Sequence, residues 1–109
     1  MRLVLLSDTH GRHKQLNIPD GDVLVHCGDF SHRGNLAETE AFGRWFAAQP
    51  HPFKVLVPGN HDAATENPVA RNLLRSLGIE VLVDSGVTIG GKRFYGSPWP
   101  PRFGDWAWM

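Results

Sequence analysis

The sequence predicts an α/β fold in which a β-sheet with parallel strands is flanked by helices. Three short runs rich in Val and Leu, at residues 2–6, 22–26 and 53–57, are predicted to be strands. The first two have the length and apolar character of strands that are buried on both faces, as in parallel sheets. A helical pattern separates the second run from the third, and a strand–helix–strand unit of this kind joins parallel strands. The 109 residues, 41% hydrophobic and 20% charged, fit a single domain over residues 1–109.

The first helix is predicted over residues 36–48. Asn35 can cap its first turn, and Glu38, three residues later, resembles the second half of a capping box. Aromatic residues recur at spacings of three and four, which puts them on the face that would pack on the sheet: Phe42, Trp45 and Phe46. Two prolines, at positions 50 and 52, end this helix before the third strand begins.

The second half of the chain continues with a helix, a strand and a hairpin. The helix begins at Pro68 after Asn67 as its cap, and Gly78 closes it. Its apolar stripe consists of Val69, Leu73 and Leu77. A fourth strand follows at residues 79–83. Residues 87–89 and 92–95 flank two consecutive glycines, which is typical of a two-residue hairpin turn.

Polar residues follow each of the first three predicted strands directly, in three segments: Asp8-Thr9-His10, Gly28-Asp29 and Gly59-Asn60-His61-Asp62. Ligands of open α/β sheets bind in the loops that leave the carboxyl ends of the strands. We therefore expect the side chains of these segments to converge at one edge of the sheet. The glycines let the backbone bend there, with positive φ where a turn requires it.

The residue types in these segments are those of a two-metal site for phosphoester hydrolysis. Asp8 and His10 are separated by one residue, so in an extended segment both side chains can point toward a single metal ion. Asp29, on the neighbouring loop, is placed to bridge two ions, because closely spaced dications need an anionic ligand between them. Asn60 offers an amide oxygen, and His61 offers a nitrogen ligand or a proton for the leaving group. The alternative is a set of turn-forming residues and hydrogen-bonded histidines, but turn formation does not explain why the histidines coincide with them.

The three segments resemble, in order and spacing, the D-x-H, G-D and G-N-H-D/E motifs of the calcineurin-like metallophosphoesterase family. The resemblance implies that Asp8 and His10 bind a first divalent ion, that Asp29 bridges two ions and that Asn60 binds the second. It implies two divalent ions from the group Mn, Fe, Zn, Co and Ni. It also implies that His61 acts near the scissile phosphate.

Two further roles are implied by the same resemblance. Asp62 would support His61 rather than bind metal. Residues 28–34 are similar to the G-D-x-x-D-R-G segment of the protein-phosphatase branch, with His32 in place of its Asp, which makes Arg33 a candidate to hold the substrate phosphate. Residues 95–106 resemble a subgroup of small metallophosphoesterase-domain proteins, some of them described as phosphodiesterases.

The family's later His and its G-H-x-H motif have no counterpart in these 109 residues. The fold that the resemblance implies is thus a metallophosphoesterase-type sheet with flanking helices that lacks the C-terminal half of the usual two-sheet sandwich. We expect either a truncated domain or one completed by another chain or by a second copy in a homo-oligomer. The predicted function is metal-dependent hydrolysis of a small phosphoester, nucleotides included, by a phosphodiesterase or a phosphomonoesterase. The alternatives are a catalytically incomplete metal- or phosphate-binding module that acts through a partner, and a purely structural fragment that associates through its sheet edge.

Composition excludes some classes of partner. The formal net charge of zero argues against a broad nucleic-acid surface, and the longest apolar run near the start, residues 3–6, is too short for a membrane span. With one cysteine, Cys27, no internal disulfide can form, and a cytoplasmic location is expected. We expect Cys27 to be a small buried residue, His26 to be a hydrogen-bonded core histidine, and three loop histidines to be solvated: His13, His32 and His51.

Overall fold

The predicted α/β class is confirmed by the computed structural model of the chain, which describes residues 1–31, 35–59, 62, 65 and 67–97. A four-stranded parallel sheet has the order β1-β2-β3-β4, with these strands: β1 (Leu3–Leu6), β2 (Val23–His26), β3 (Phe53–Leu56) and β4 (Ile79–Val81). Because Leu6, His26 and Leu56 lie in register, the carboxyl ends of the first three strands are level. This register places the residues that directly follow the first three strands at one edge of the sheet.

Each face of the sheet carries its own apolar layer. Helices α1 (Leu36–Ala47) and α2 (Pro68–Ser76) cover one face through buried residues that include Phe42, Phe46 and Leu74. An antiparallel hairpin of β5 (Ser85–Ile89) and β6 (Lys92–Gly96) covers part of the other face. The predicted hairpin is confirmed and each arm is longer than expected, with Gly90 and Gly91 at φ values of 57° and 77°.

The first strand departs from its prediction. It was expected to be buried on both faces, but Leu3 and Leu5 are 45% and 66% exposed. The reason is topological. Within the described residues β1 pairs with β2 alone, and the apolar cluster beneath the hairpin is built on β2 and β3. The second strand is buried at every position, as expected for a central strand.

Helix α1 is confirmed with its cap and its buried face. The Asn35 Oδ1 atom accepts a hydrogen bond from the Glu38 N–H group at 2.9 Å. Phe42 and Phe46 are fully buried, and Trp45 is partly buried against the same core. The helix ends at Ala47, one residue before the predicted end.

Helix α2 starts as predicted, but its buried face is rotated by one residue. Asn67 Oδ1 accepts from the Val69 N–H group at 2.9 Å, whereas the Val69 side chain is 65% exposed. The buried positions are Ala70 and Leu74, because a Cβ at Gly43 of α1 would lie only 2.7 Å from Leu74 Cδ2 and the helices approach closely there. The predicted stripe is therefore wrong at Val69, whereas Leu77 is partly buried against the core as predicted.

Some predictions concern segments beyond the described ranges. The chain after residue 97, including most of the segment that resembles the small metallophosphoesterase-domain proteins, lies outside them, as do His32 and Arg33.

Within the described ranges, no helix combines the length and the apolar character that crossing a bilayer requires.

Candidate metal centre

The loops after β1 and β2 continue the hydrogen-bond ladder of the sheet beyond the strands. The Asp8 N–H group donates to Gly28 O at 2.9 Å, and the His10 N–H group donates to Asp29 O at 2.9 Å. One residue further, the Gly11 N–H group donates to Phe30 O at 2.7 Å. The two loops therefore run side by side for several residues after the strands themselves end.

Three of the predicted ligands meet on these loops. Asp8, His10 and Asp29 each offer a ligand atom, and these atoms lie within 4.8 Å of one another. The Asp8 and His10 side chains remain 63% and 34% exposed, and His10 Nε2 lies 3.8 Å from Asp8 Oδ1. Two carboxylates and one imidazole thus face a common point that is open to solvent.

The backbone at these three residues is left-handed. The φ angles are 55° at Asp8, 45° at His10 and 58° at Asp29, and Gly28 adopts 106°. Asp and His are among the few L residues that tolerate this region, which costs about 1 kcal/mol or more per residue. Simple alternation along an extended segment predicts that the Asp8 and His10 side chains lie on one side. In the structure, these left-handed residues bring the two side chains together instead.

Two glycines allow the loops after β2 and β3 to touch. A Cβ on Gly28 would lie 2.8 Å from Gly59 Cα, and a Cβ on Gly59 would lie 2.5 Å from the Asp29 nitrogen. The sequence allows positive φ at both glycines, and the structure has it at Gly28. At Gly59 a glycine is needed for a different reason, because a Cβ atom there would clash with Asp29. The contact holds Asp29 directly against the third loop.

Asp62 has structural contacts that the sequence did not predict. Its carboxylate is fully buried and accepts hydrogen bonds from the N–H groups of Asp29 and Gly59, both at 2.8 Å, and of Ser31 at 3.0 Å. The Phe30 N–H group and the Ser31 hydroxyl also donate to it. Burial raises the pKa of the Asp62 carboxyl, and the hydrogen bonds from Ser31, Gly59 and Asp29 oppose that shift. Asp62 therefore fixes the segment that carries Asp29.

His26 is a buried link between the first two loops. Its Nε2 atom lies 3.0 Å from Thr9 Oγ1, and its Nδ1 atom accepts from the Gly28 N–H group at 3.1 Å. Phe42 packs edge-on at 5.0 Å between ring centroids. The prediction of a hydrogen-bonded core histidine is confirmed. The composition of β2, a Val- and Leu-rich run that ends in His, is the signal that pointed to it.

Three expectations for other side chains near the sheet are wrong. His13 and His51 are 5% and 2% exposed rather than solvated. His13 packs against Phe42 and Trp45, and burial, with a smaller effect of Lys14, lowers its pKa. Cys27 is exposed rather than buried.

The thiol of Cys27 is nevertheless a poor nucleophile. Desolvation, followed by the nearby charge of Asp8, raises the pKa of the Cys27 thiol above its usual value. Because the thiolate is the reactive form, this shift keeps the group protonated and unreactive near neutral pH.

Burial lowers the pKa of His26 from 6.5 to about 4, helped by His13 and His10 and opposed by the charge of Asp8. In the unfolded chain the His26 ring takes up a proton at a higher pH than it does in the folded chain. The contribution of neutral His26 to the free energy of unfolding is therefore fully present above about pH 6.5 and is lost as pH falls toward 4. We expect the free energy of unfolding to fall by about 2 kcal/mol between about pH 7 and pH 5. Urea unfolding in EDTA should show this loss in the wild type, in excess of any loss in His26→Gln. Equal losses in both proteins would contradict the assignment.

The remaining predicted site residues lie outside the described part of the chain. These are Asn60, His61 and Arg33. Their roles as second-metal ligand, proton donor and phosphate ligand stay predictions. The described cluster supplies one imidazole and two carboxylates, on the loops after β1 and β2.

Comparison with known proteins identifies the family of the chain. The sequence pattern of the family described as calcineurin-like phosphoesterase matches residues 1–107. The human metallophosphoesterase domain-containing protein 1 is 32% identical over 97% of this chain and 40% of its own length. UPF0046 protein K07C11.7 of Caenorhabditis elegans is 36% identical over 95% of this chain and 41% of its own length. The chain thus spans about two fifths of the length of these curated relatives.

Proposed function

Because the chain belongs to the calcineurin-like phosphoesterase family, whose members are metal-dependent phosphoester hydrolases, we propose that it binds divalent metal at the Asp8, His10 and Asp29 cluster and hydrolyses phosphoesters there. The observation that carries the proposal is the convergence of three ligand atoms within 4.8 Å. These residues come from two loops that are separate in sequence. Their approach is produced by the parallel register of the sheet.

The donor set fits the proposed metals. Carboxylate oxygens and an imidazole nitrogen together suit Mn, Fe, Zn, Co and Ni, whereas a site built only of oxygen atoms would favour Mg or Ca. Asp8 and His10 would hold one ion, and Asp29 would be shared between two. The left-handed backbone at all three residues is a further sign of a site in which ligand position matters more than local strain.

A pair of bound divalent ions would neutralise the phosphoryl oxygens and acidify a water nucleophile. The chain's own residues would do the rest. Asn60 would supply an amide oxygen to the second ion, and His61 would give a proton to the leaving oxygen. Arg33 would hold the phosphate through two parallel hydrogen bonds. Asp62 would act by holding the Asp29 loop in place.

The proposed substrate is a small phosphoester, including nucleotides. The cluster is solvent-exposed at Asp8, which suits a substrate that presents a small phosphate group. A long nucleic acid is a poorer candidate, because the net charge of the chain is zero and phosphate backbones are bound mainly through clusters of Lys and Arg.

A second candidate function is a metal- or phosphate-binding module without turnover. One observation favours it: the apolar residues Leu3 and Leu5 are exposed on β1, where a partner or a second copy of the chain could pack. In that case another chain would complete the site, or the module would serve its partner by binding alone.

A metal titration with an activity assay tests the proposal. We expect the purified chain to bind close to two Mn²⁺ ions and to hydrolyse bis(p-nitrophenyl) phosphate or p-nitrophenyl phosphate. EDTA should abolish hydrolysis, and added Mn²⁺ should restore it. Metal binding without turnover would favour the module, and its solution mass would show whether a second copy is present. A chain that binds no metal would contradict the hydrolase, and a chain that binds neither metal nor inorganic phosphate would contradict both functions.

A further inference from the structure

We propose that His26 is a positioning residue for the candidate metal centre, because its imidazole joins the loop of Asp8 and His10 to the loop of Asp29. The inference rests on the proposed function, since it concerns the same cluster. His26 does not contact the candidate ligands directly. It acts through Thr9, which lies between Asp8 and His10, and through Gly28, which precedes Asp29.

The hydrogen bonds define which nitrogen of the ring carries the proton. Nδ1 faces the Gly28 N–H group at 3.1 Å, and a backbone N–H group can only donate, so Nδ1 is the unprotonated acceptor. A neutral imidazole then carries its hydrogen on Nε2, which donates to Thr9 Oγ1 at 3.0 Å. The His26 ring therefore accepts a hydrogen bond from Gly28 on the loop after β2 and donates one to Thr9 on the loop after β1.

This link controls where the ligands point. Thr9 is 8% exposed, so its side chain faces the interior, whereas the Asp8 side chain is 63% exposed. Fixing the Thr9 hydroxyl on the inner side keeps Asp8 and His10 on the outer side of the loop. Both residues have positive φ and would relax without support from their surroundings.

The ring position is itself tightly determined. His26 is fully buried, and three phenylalanine rings pack edge-on around it, at centroid distances of 5.0, 6.2 and 6.3 Å: Phe42, Phe30 and Phe46. A leucine could fill this space, as Leu56 does at the paired position of β3. A leucine would leave the Gly28 N–H group without its acceptor in a buried site, which costs about 1 to 3 kcal/mol. The bridging hydrogen bonds explain why a polar ring occupies this position.

A matched pair of substitutions at Thr9 tests the inference. Thr9→Val keeps the shape of the side chain and removes the hydroxyl, whereas Thr9→Ser keeps the hydroxyl. We expect the Kd for Mn²⁺ to rise about tenfold in Thr9→Val, within the range found when an outer-shell partner is lost. Thr9→Ser should recover most of the affinity.

Thr39→Val is the control for a purely structural loss. Thr39 is fully buried and Thr9 nearly so, but the Thr39 hydroxyl donates to Asn35 O within the first turn of α1. This variant should lose stability comparable to that of Thr9→Val and keep the wild-type Kd for Mn²⁺. If Thr9→Val also keeps the wild-type Kd, the inference is overturned while the proposed function stands.

A second measurement needs no variant. The ¹⁵N spectrum of the His26 ring in the metal-free wild type should show a protonated Nε2 and an unprotonated Nδ1. A proton on Nδ1 would overturn the inference, because the Gly28 contact would then be repulsive. A wild type that binds no Mn²⁺ overturns the proposed function, a result distinct from either outcome above.

Discussion

Replacing Asp29 with asparagine is expected to weaken Mn²⁺ binding by more than about 100-fold and to abolish phosphoester hydrolysis. Loss of a group that only supports a metal ligand weakens binding by up to about 100-fold, and loss of a charged ligand should cost more. The substitution removes the negative charge that two closely spaced cations need between them. Metal affinity by isothermal titration and turnover of bis(p-nitrophenyl) phosphate measure the two effects.

Asparagine is the right replacement because the backbone at Asp29 is left-handed, with φ 58°. Asn tolerates this region as well as Asp does, whereas alanine would add backbone strain and confuse the result. The main-chain N–H group of residue 29 can still donate to Asp62. The free energy of unfolding should therefore stay within about 1 kcal/mol of the wild type in EDTA.

Asp20→Asn is the matched control. It makes the same change of charge at an exposed residue that precedes β2, so it lies at the opposite end of the strand from the cluster. We expect wild-type metal binding and activity from it. If Asp29→Asn keeps its metal while turnover is lost, Asp29 acts in the chemistry without being a required ligand. If it keeps both, the cluster is not the catalytic site.

The part of this site that the sequence could predict is the part governed by periodicity. Apolar runs of four or five residues fix where strands end, and parallel pairing then brings the segments that follow those ends to one edge. The approach of Asp8 and His10 to Asp29 follows from that topology. Helix caps such as Asn35 were predictable for the same reason, because they depend on residues only three positions apart.

The parts that the sequence could not predict depend on contacts between distant residues. Helix α2 buries Leu74 because Gly43 has no side chain and lets Leu74 pack close to α1. Leu5 is exposed because the hairpin packs on β2 and β3 and does not cover β1. The left-handed φ at Asp8 is stabilised by a ladder bond to Gly28, twenty residues away. Motif order indicates which residues belong to the site but not which of their atoms hold the loops.

For Asp62, the role that the motif implies differs from the contacts that its carboxylate makes. The motif resemblance implies a catalytic support for His61, whereas the structure shows four backbone N–H groups and one hydroxyl converging on its carboxylate. We expect Asp62→Asn to lower the free energy of unfolding by about 3 kcal/mol. An amide has only one oxygen, so its NH₂ group would face at least one buried N–H donor.

The same variant should also weaken Mn²⁺ binding by about tenfold, because Asp62 holds the backbone of Asp29 and Ser31 and the ligand moves with that backbone. Urea unfolding and metal titration, both run on the same preparation, measure the two effects. Asp22→Asn is the control. Its carboxylate also accepts a backbone N–H group, that of Arg2, but it is exposed, so water can replace the lost acceptor at a cost of about 1 kcal/mol or less.

The two roles of Asp62 predict different pairs of results. A loop-holding carboxylate loses stability and metal affinity together when it is replaced. A carboxylate that only supports His61 would lose turnover, while the midpoint of unfolding and the Kd for Mn²⁺ stay at wild-type values. Because its buried oxygens already accept hydrogen bonds from Asp29, Ser31 and Gly59, we expect the first pair. Wild-type stability in Asp62→Asn would show that these hydrogen bonds do not hold the loop.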